Sequence, residues 1–392
     1  MDLSQIDHLK AYGVAYRCLE RGQEVEWLLN YRGGSFLIEE TETNRRDLLV
    51  EGVGFEPCSG SQAAQIYATI EENNMELVLL EKAPKVAVYI PPIAEPWDDA
   101  VTLALTYAKI PYDQIWDEEV LSGKLSRYDW LHLHHEDFTG QYGKFYSAYH
   151  TAKWYRDRQT LYEERALAAG YPKVWQHKHA VAAAIKQYIA QGGFLFAMCS
   201  ACDTFDIALA AGNVDIVDRV YDGDAPDPGC QSKLDFSRGL IFENFLLEMN
   251  PMVYEYSNID MSDYSALRGP QADYFTLFDF SAKEDPVPTM LTQCHVNVIN
   301  GFMGQTTNFN RKCLKPSGII LAEVEGTDEV RYVHGNYGQG TVTFYGGHDP
   351  EDYQHKVGDP PTRLDLHKDS PGYRLILNNI LFPAAQKKER KT

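Results

Sequence analysis

Basic residues are scarce in this chain. Its 392 residues include 36 Lys and Arg against 56 Asp and Glu, a formal net charge of −20. Phosphate contact needs clustered cations, so this balance excludes a general nucleic-acid binder. Cysteine is thin as well. Seven residues in a chain of this length cannot build a disulfide scaffold, and the odd number leaves at least one thiol free within a single chain. No apolar run approaches the roughly 18 residues of a membrane span. The opening Met1-Asp2-Leu3-Ser4-Gln5-Ile6-Asp7 has neither the basic nor the apolar segment of a secretory leader. A cytoplasmic protein is expected, with a mature exported protein, its leader removed, as the alternative. Repeats and low-complexity tracts are missing too. What the chain does have is 17 Phe, 25 Tyr and 6 Trp, ample material for a packed core.

The hydrophobic pattern divides the chain into a small N-terminal α/β unit over residues 1–82 and a larger α/β unit over 83–392. In the first, His8–Arg21 and Gln62–Asn73 have helical spacing, and Val25–Asn30, Ser35–Glu39 and Glu76–Leu80 are strand-like. In the second, apolar β-branched or aromatic runs at Val86–Ile90, Trp130–His134, Phe194–Met198 and Thr341–Tyr345 are separated by helical periods. Those helices are Trp97–Lys109, Ala180–Gln191 and Thr204–Ala211. Strand and helix in alternation predict a doubly wound, mostly parallel sheet with right-handed crossovers. Residues at about 222–330 break the rhythm. Their Pro-, Gly- and Asp-rich start, followed by strand-like Phe242–Tyr256, Tyr274–Phe280 and His295–Ile299, predicts a β-rich insertion that extends the sheet or caps the site. Pro371–Leu381 is expected to be the C-terminal helix, and Lys387–Lys391 a solvated basic tail.

Loops leaving the carboxyl ends of parallel strands converge on one edge, and ligands bind there. Three such loops carry reactive side chains. They are His134-His135-Glu136-Asp137, Cys199-Ser200-Ala201-Cys202 and Gly347-His348-Asp349-Pro350-Glu351. An apolar strand running straight into Cys199 and then a helix puts the sulfur at a helix N-terminus, where the dipole would lower its pKa. His348 could take the thiol proton, and Glu351, or failing that Asp349, could orient the imidazole. Backbone N–H groups near Ser200 and Glu136 could bind an oxyanion. By strand alternation His132 and His134 face one way and Leu133 and His135 the other. His134 with Glu136 or Asp137 could contribute to a metal site, but no HExxH-type spacing supports one. Imidazoles forming the hydrogen-bonding walls of a polar pocket are the ordinary expectation, so no metal and no cofactor is predicted. Cys199-x-x-Cys202 also permits a disulfide-exchange role. His355 has no assigned use at this level.

These motifs resemble the class I glutamine amidotransferase-like superfamily. Tyr128–His134 is similar to its strand before the oxyanion loop, Gly193–Cys199 to its approach to the nucleophile, and Gly340–His348 to its approach to the histidine. More narrowly, His132–Lys144 and Gly346–Pro361 resemble bacterial proteins labelled asparagine synthetase B. The resemblance covers about residues 85–220 and 330–383. It implies a flavodoxin-like three-layer fold and a Cys–His–carboxylate centre. The pattern departs from the superfamily in three places: His135-Glu136-Asp137 replaces the usual glycines, Cys199-Ser200-Ala201 replaces Cys-x-Gly, and the acid follows His348 at three residues instead of two. Asp2 stands where glutamine-dependent asparagine synthetases have their N-terminal cysteine, and no pyrophosphate-binding loop of their kind is present.

The function expected from this reading is a cysteine-dependent hydrolase or amidotransferase-like enzyme acting on an amide or related C–N bond. The alternative is a non-catalytic protein of the same fold that binds a sugar or small polar ligand. Expected partners are a small-molecule substrate and a separate synthase subunit or a second copy of the chain, with no nucleic acid and no membrane span.

Overall fold

The computed structural model describes residues 1–285 and 287–386; the basic segment Lys387–Lys391 lies outside them. Thirteen strands are present among the described residues. In the N-terminal unit, β1 (Val25–Leu29), β2 (Ser35–Leu37) and β3 (Glu76–Leu80) form an antiparallel sheet in the order β2-β1-β3. The main sheet contains β4 (Val86–Tyr89), β5 (Asp113–Ile115), β6 (Trp130–Leu133), β7 (Phe194–Met198), β8 (Tyr274–Leu277), β9 (Val298–Asn300), β10 (Phe309–Asn310), β11 (Ile319–Glu323), β12 (Glu329–Tyr337) and β13 (Gly340–Tyr345). Its order is β5-β4-β6-β7-β13-β12-β11-β8-β9, with β10 paired to β12.

The chain is therefore α/β, but the sheet is parallel only in one half. From β5 to β13 each pairing is parallel; from β13 through β9 each is antiparallel. The expectation of a mostly parallel sheet does not include three strands, β10, β11 and β12. In β12, Arg331 and His334 interrupt the apolar run, so the segment reads as polar, yet both side chains are buried. Arg331 is neutralised by a direct ion pair with buried Asp273 and donates to the Phe302 carbonyl at 2.8 Å. The expected strand Phe242–Tyr256 is instead irregular chain held by isolated bridges at Phe242 and Leu247. Tyr274–Phe280 and His295–Ile299 do contribute strands, as β8 and β9.

Both faces of the sheet are covered inside the edge strand β5, which is why β4 and β7 are wholly apolar. Leu195 and Ala197 of β7 pack with Ile185 and Phe205 from the helices Val174–Ala190 and Ala201–Ala211. Phe196 and Met198 face the other layer, with Leu105 of Ala100–Ala108 and Ile376 of Pro371–Leu381. That second core continues into the N-terminal unit through Leu9, Tyr12 and Trp27. The close approach there needs Gly13, since a Cβ at this position would sit 1.9 Å from the Ala108 carbonyl oxygen. Fully buried Arg374 fastens the same seam, donating to the Tyr12 hydroxyl and the Met1 carbonyl, each at 3.1 Å. Among the described residues no helix is long and apolar enough to cross a membrane.

His334 makes the interior of β12 sensitive to acid. Its Nδ1 lies 2.8 Å from the Thr343 hydroxyl, and burial pushes its pKa down to about 4. A buried base held neutral binds fewer protons folded than unfolded, so its stabilisation is complete above the unfolded value and is lost as pH falls through the window down to about 4. The expected result is that His334→Asn, compared with wild type by urea denaturation between pH 7 and 4.5, loses stability less steeply on acidification, by up to about 1.4 kcal/mol per pH unit. Parallel slopes would show that His334 does not titrate on unfolding.

Candidate functional site

Three strand ends are stitched together by backbone hydrogen bonds at the carboxyl edge of the parallel half. Cys199, leaving β7, donates its N–H to the Gly347 carbonyl beyond β13 at 3.1 Å. Ala201, opening the next helix, donates to the His134 carbonyl beyond β6, also at 3.1 Å, and His348 donates to the Met303 carbonyl at 3.0 Å. The turn at Cys199 is sharp, with φ at +52°. A non-glycine residue in this region carries strain of about 1–3 kcal/mol, tolerated only where the surroundings impose it. The expected strand–cysteine–helix junction is therefore present.

The thiol is not activated as expected. Cys199 is buried, and burial pushes its pKa up to about 11, against the pull of the Gln305 and Ser200 backbone N–H groups. The Gln305 N–H lies 3.4 Å from Sγ. The effect of the helix N-terminus is thus outweighed by desolvation, to which nearby Asp203 and Asp260 add. Among the described residues no hydrogen bond joins Cys199 Sγ to His348, whose Nε2 lies instead 3.1 Å from His135 Nε2. Glu351 does not orient His348 either. It sits 2.9 Å from His367 Nδ1, while His348 Nδ1 is buried with no hydrogen-bond partner. Cys202 is fully buried behind β13, its thiol directed to the Tyr345 carbonyl at 3.9 Å, and burial raises its pKa well above that of a free thiol. A low-pKa disulfide-exchange pair is not what these two cysteines form.

What the edge does assemble is a cluster of imidazoles. Strand β6 ends at Leu133, so strict alternation stops there, and His135 joins His134 on the same side with ring centroids 3.8 Å apart. His348 stands 4.6 Å from the His134 ring and 4.5 Å from the His135 ring, and stacks on His355 at 4.2 Å. Carboxylates hold the cluster from behind. Asp99 Oδ1 caps the helix Ala100–Ala108 through the Thr102 N–H, and its Oδ2 lies 3.1 Å from both His132 Nε2 and His134 Nδ1. Burial would raise the Asp99 pKa, but the two imidazoles hold it well below the usual range. Asp98 faces His355 Nε2 at 2.9 Å through its carboxylate, and its carbonyl accepts from His135 Nε2, also at 2.9 Å. Burial would lower His355, but Asp98 and Asp352 bring it up to about 9. Burial, reinforced by the neighbouring rings, keeps His348 and His135 well below the ordinary imidazole value.

The other expected pocket residues have different work. Ser200 starts the helix after Cys199, its carbonyl accepting from the Thr204 hydroxyl at 2.6 Å. Asp137 points into its own loop, accepting the N–H groups of Thr139, Gln141 and Gly143 at 2.7, 2.9 and 2.9 Å. Glu136 turns away from the edge and pairs with buried Lys178 at 2.6 Å. One wall was not foreseen. Trp97 packs against His135, Phe145 and Trp154, each with ring centroids 5.4 Å apart. The second contributor that was missed is Gln305, which comes from the insertion. Nothing local marks it except a polar run, Gly304-Gln305-Thr306-Thr307-Asn308, that is largely buried.

Ring nitrogens of His134, His135 and His348 lie within 4.8 Å of one another, as do ligand atoms of Asp98, His348 and His355 and of Asp99, His132 and His134. By donor type and spacing the first set, all imidazole, is the one suited to a transition metal.

No protein-family profile matches the chain, and no curated protein is similar to it in sequence. Solved structures with similarity include the cytoplasmic proteins STM3548 from Salmonella typhimurium and STM1381 from Salmonella typhimurium LT2. Each is 13% identical, with 77% of this chain and 100% of that chain covered at a TM-score of 0.35. Gan42B, a GH42 β-galactosidase, is 14% identical, with 68% of this chain and 28% of that chain covered at a TM-score of 0.27.

The Glu136 side of this edge is held by charge. Lys178 is fully buried between Glu136 and Asp117, at 2.6 and 3.0 Å, and its ammonium lies 4.4 Å from the Tyr162 ring centroid. Removing the cation leaves two carboxylates without it. Lys178→Met should lower unfolding stability by about 3–5 kcal/mol, and adding Glu136→Gln should restore part of the loss. A change of only about 0.5 kcal/mol, the ordinary surface range, would contradict the arrangement.

Proposed function

We propose that the chain is a hydrolase acting on an amide or related C–N bond at the carboxyl edge of its parallel strands, and that this half of the sheet is an amidotransferase-like core. The observation that carries the proposal is the left-handed turn at Cys199 between β7 and its helix. Backbone strain of this kind is retained where it aims a side chain. In this reading Cys199 Sγ attacks the carbonyl carbon as its proton passes to His348. His348 returns the proton to the nitrogen as the C–N bond breaks, and water then hydrolyses the thioester to release the acid and restore the thiol. The backbone already ties these two residues together, because the Cys199 N–H is bonded to the carbonyl of the residue preceding His348. The Gln305 and Ser200 N–H groups that face Sγ are placed to receive the oxyanion. At rest the thiol is protonated and the His348 ring faces His135, so the substrate must draw that ring towards the sulfur. Catalytic hydrogen bonds commonly tighten only in the substrate complex.

One observation favours the second reading, a binding pocket without turnover. The aromatic wall of Trp97, Phe145 and Trp154 beside the imidazoles is the kind of surface that stacks on a sugar or other small polar ring.

The test is release of ammonia or amine from a panel of ω-amides and N-acyl amides. Cys199→Ala should abolish turnover, and His348→Gln should lower turnover by about 10²-fold or more. Glu351→Gln should leave it intact. Turnover by Cys199→Ala at the wild-type rate would sink the cysteine mechanism, and a wild-type protein inert on the whole panel but retaining a sugar would favour binding.

A further inference from the structure

Four buried imidazole nitrogens at the edge make no hydrogen bond; His134 Nδ1 and His355 Nε2 face the carboxylates of Asp99 and Asp98, which leaves His134 Nε2 and His348 Nδ1 with no partner of any kind. Their residues are only 2% and 5% exposed. Unpaired polar atoms at such depth are rare in folded proteins, and an ion is one of their ordinary explanations. The protons around them can be placed from their partners. Asp99 lies at His134 Nδ1, which keeps the proton on that nitrogen and leaves Nε2 a free lone pair. The Asp98 carbonyl can only accept, so His135 Nε2 carries its proton, and the His348 Nε2 that faces it at 3.1 Å is a lone pair. One ring nitrogen from each of His134, His135 and His348 lies within 4.8 Å of the other two.

We infer that His134, His135 and His348 form a binding site for one divalent transition metal ion of the zinc class. With metal–nitrogen bonds of about 2.0–2.1 Å, nitrogens sharing one ion stand about 3.0–3.4 Å apart, and the His135–His348 pair is already at 3.1 Å. The charge balance is simple. The ion takes the place of the proton on His135 Nε2, that proton moves to Nδ1 of the same ring, and all three ligands are neutral imidazoles. Asp99 behind His134 supplies the outer carboxylate that fixes the ring and strengthens the ligand. Neutral imidazoles suit zinc, cobalt, nickel and iron better than magnesium or calcium, which demand oxygen. Three protein ligands leave a fourth position free for water or a ligand group.

The inference does not depend on the Cys199 mechanism, and the two make opposite use of His348. A ring nitrogen bound to the ion cannot take the thiol proton, so metal occupancy and cysteine chemistry exclude one another at that nitrogen.

The experiment is chelator stripping of the full chain, reloading with zinc or cobalt(II), dialysis and metal analysis. Wild type should retain one zinc ion per chain. Cobalt(II) should give visible d–d bands without the thiolate charge-transfer band of sulfur ligation, and Cys199→Ala should bind as wild type does. His134→Gln should lose the ion, and Asp99→Asn should weaken it about 10–100-fold. Wild type that retains no metal, a thiolate band that Cys199→Ala removes, or unchanged affinity in His134→Gln would each overturn the assignment. The wild-type spectrum decides the matter even where a variant fails to fold. Turnover by metal-loaded Cys199→Ala would overturn the cysteine mechanism while leaving the metal site standing.

Discussion

The site depends on one hydrogen bond, from the Cys199 N–H to the Gly347 carbonyl. It joins the ends of two neighbouring parallel strands at the point where both chains turn away, and the Cys199 that makes it is in the left-handed region. With it, His348 is delivered beside β7, and among the described residues no other hydrogen bond joins the segment after β13 to the cysteine. The Ala201 to His134 bond does the same service for β6. Three segments separated by more than 60 residues at each step are thereby held to one edge. Backbone bonds of this kind are indifferent to the side chains they carry, so the same stitching serves a thiol, a cluster of rings, or both.

The parts of this arrangement that were legible in the sequence are those set by local pattern. Phe194–Met198 and Pro371–Leu381 have the expected boundaries because each is an apolar run with clear stops: Gly192-Gly193 and the Cys199 turn for the strand, and capping by Ser370 with Pro371 for the helix. What could not be read depends on distant partners. Strand β12 looks polar until Asp273 is seen to neutralise Arg331. Glu351 lies three residues from His348 in the chain, but the turn after Asp349 takes it to His367. Strand alternation puts His135 on the wrong face because β6 ends two residues before it. Gln305 reaches the sulfur from an insertion with no periodicity of its own to place it.

Burial works in two directions at this edge. It keeps Cys199 protonated, which weakens it as a nucleophile, and it keeps His135 and His348 neutral, which preserves their lone pairs. The net charge of −20 does not reverse this, because the carboxylates nearest the rings are already committed. Asp99 is shared by His132, His134 and the Thr102 N–H, and Asp98 faces His355. A thiolate would have to form against desolvation and against Asp203 and Asp260. A cation entering the ring cluster meets ring lone pairs with Asp99 behind His134, and must outweigh burial and the His355 ring of raised pKa stacked on His348. Burial therefore opposes free charge at both places, positive on His135 and His348 and negative on the sulfur. Any thiolate at Cys199 therefore depends on the Gln305 and Ser200 N–H groups that face the sulfur, the contacts that pull its pKa down.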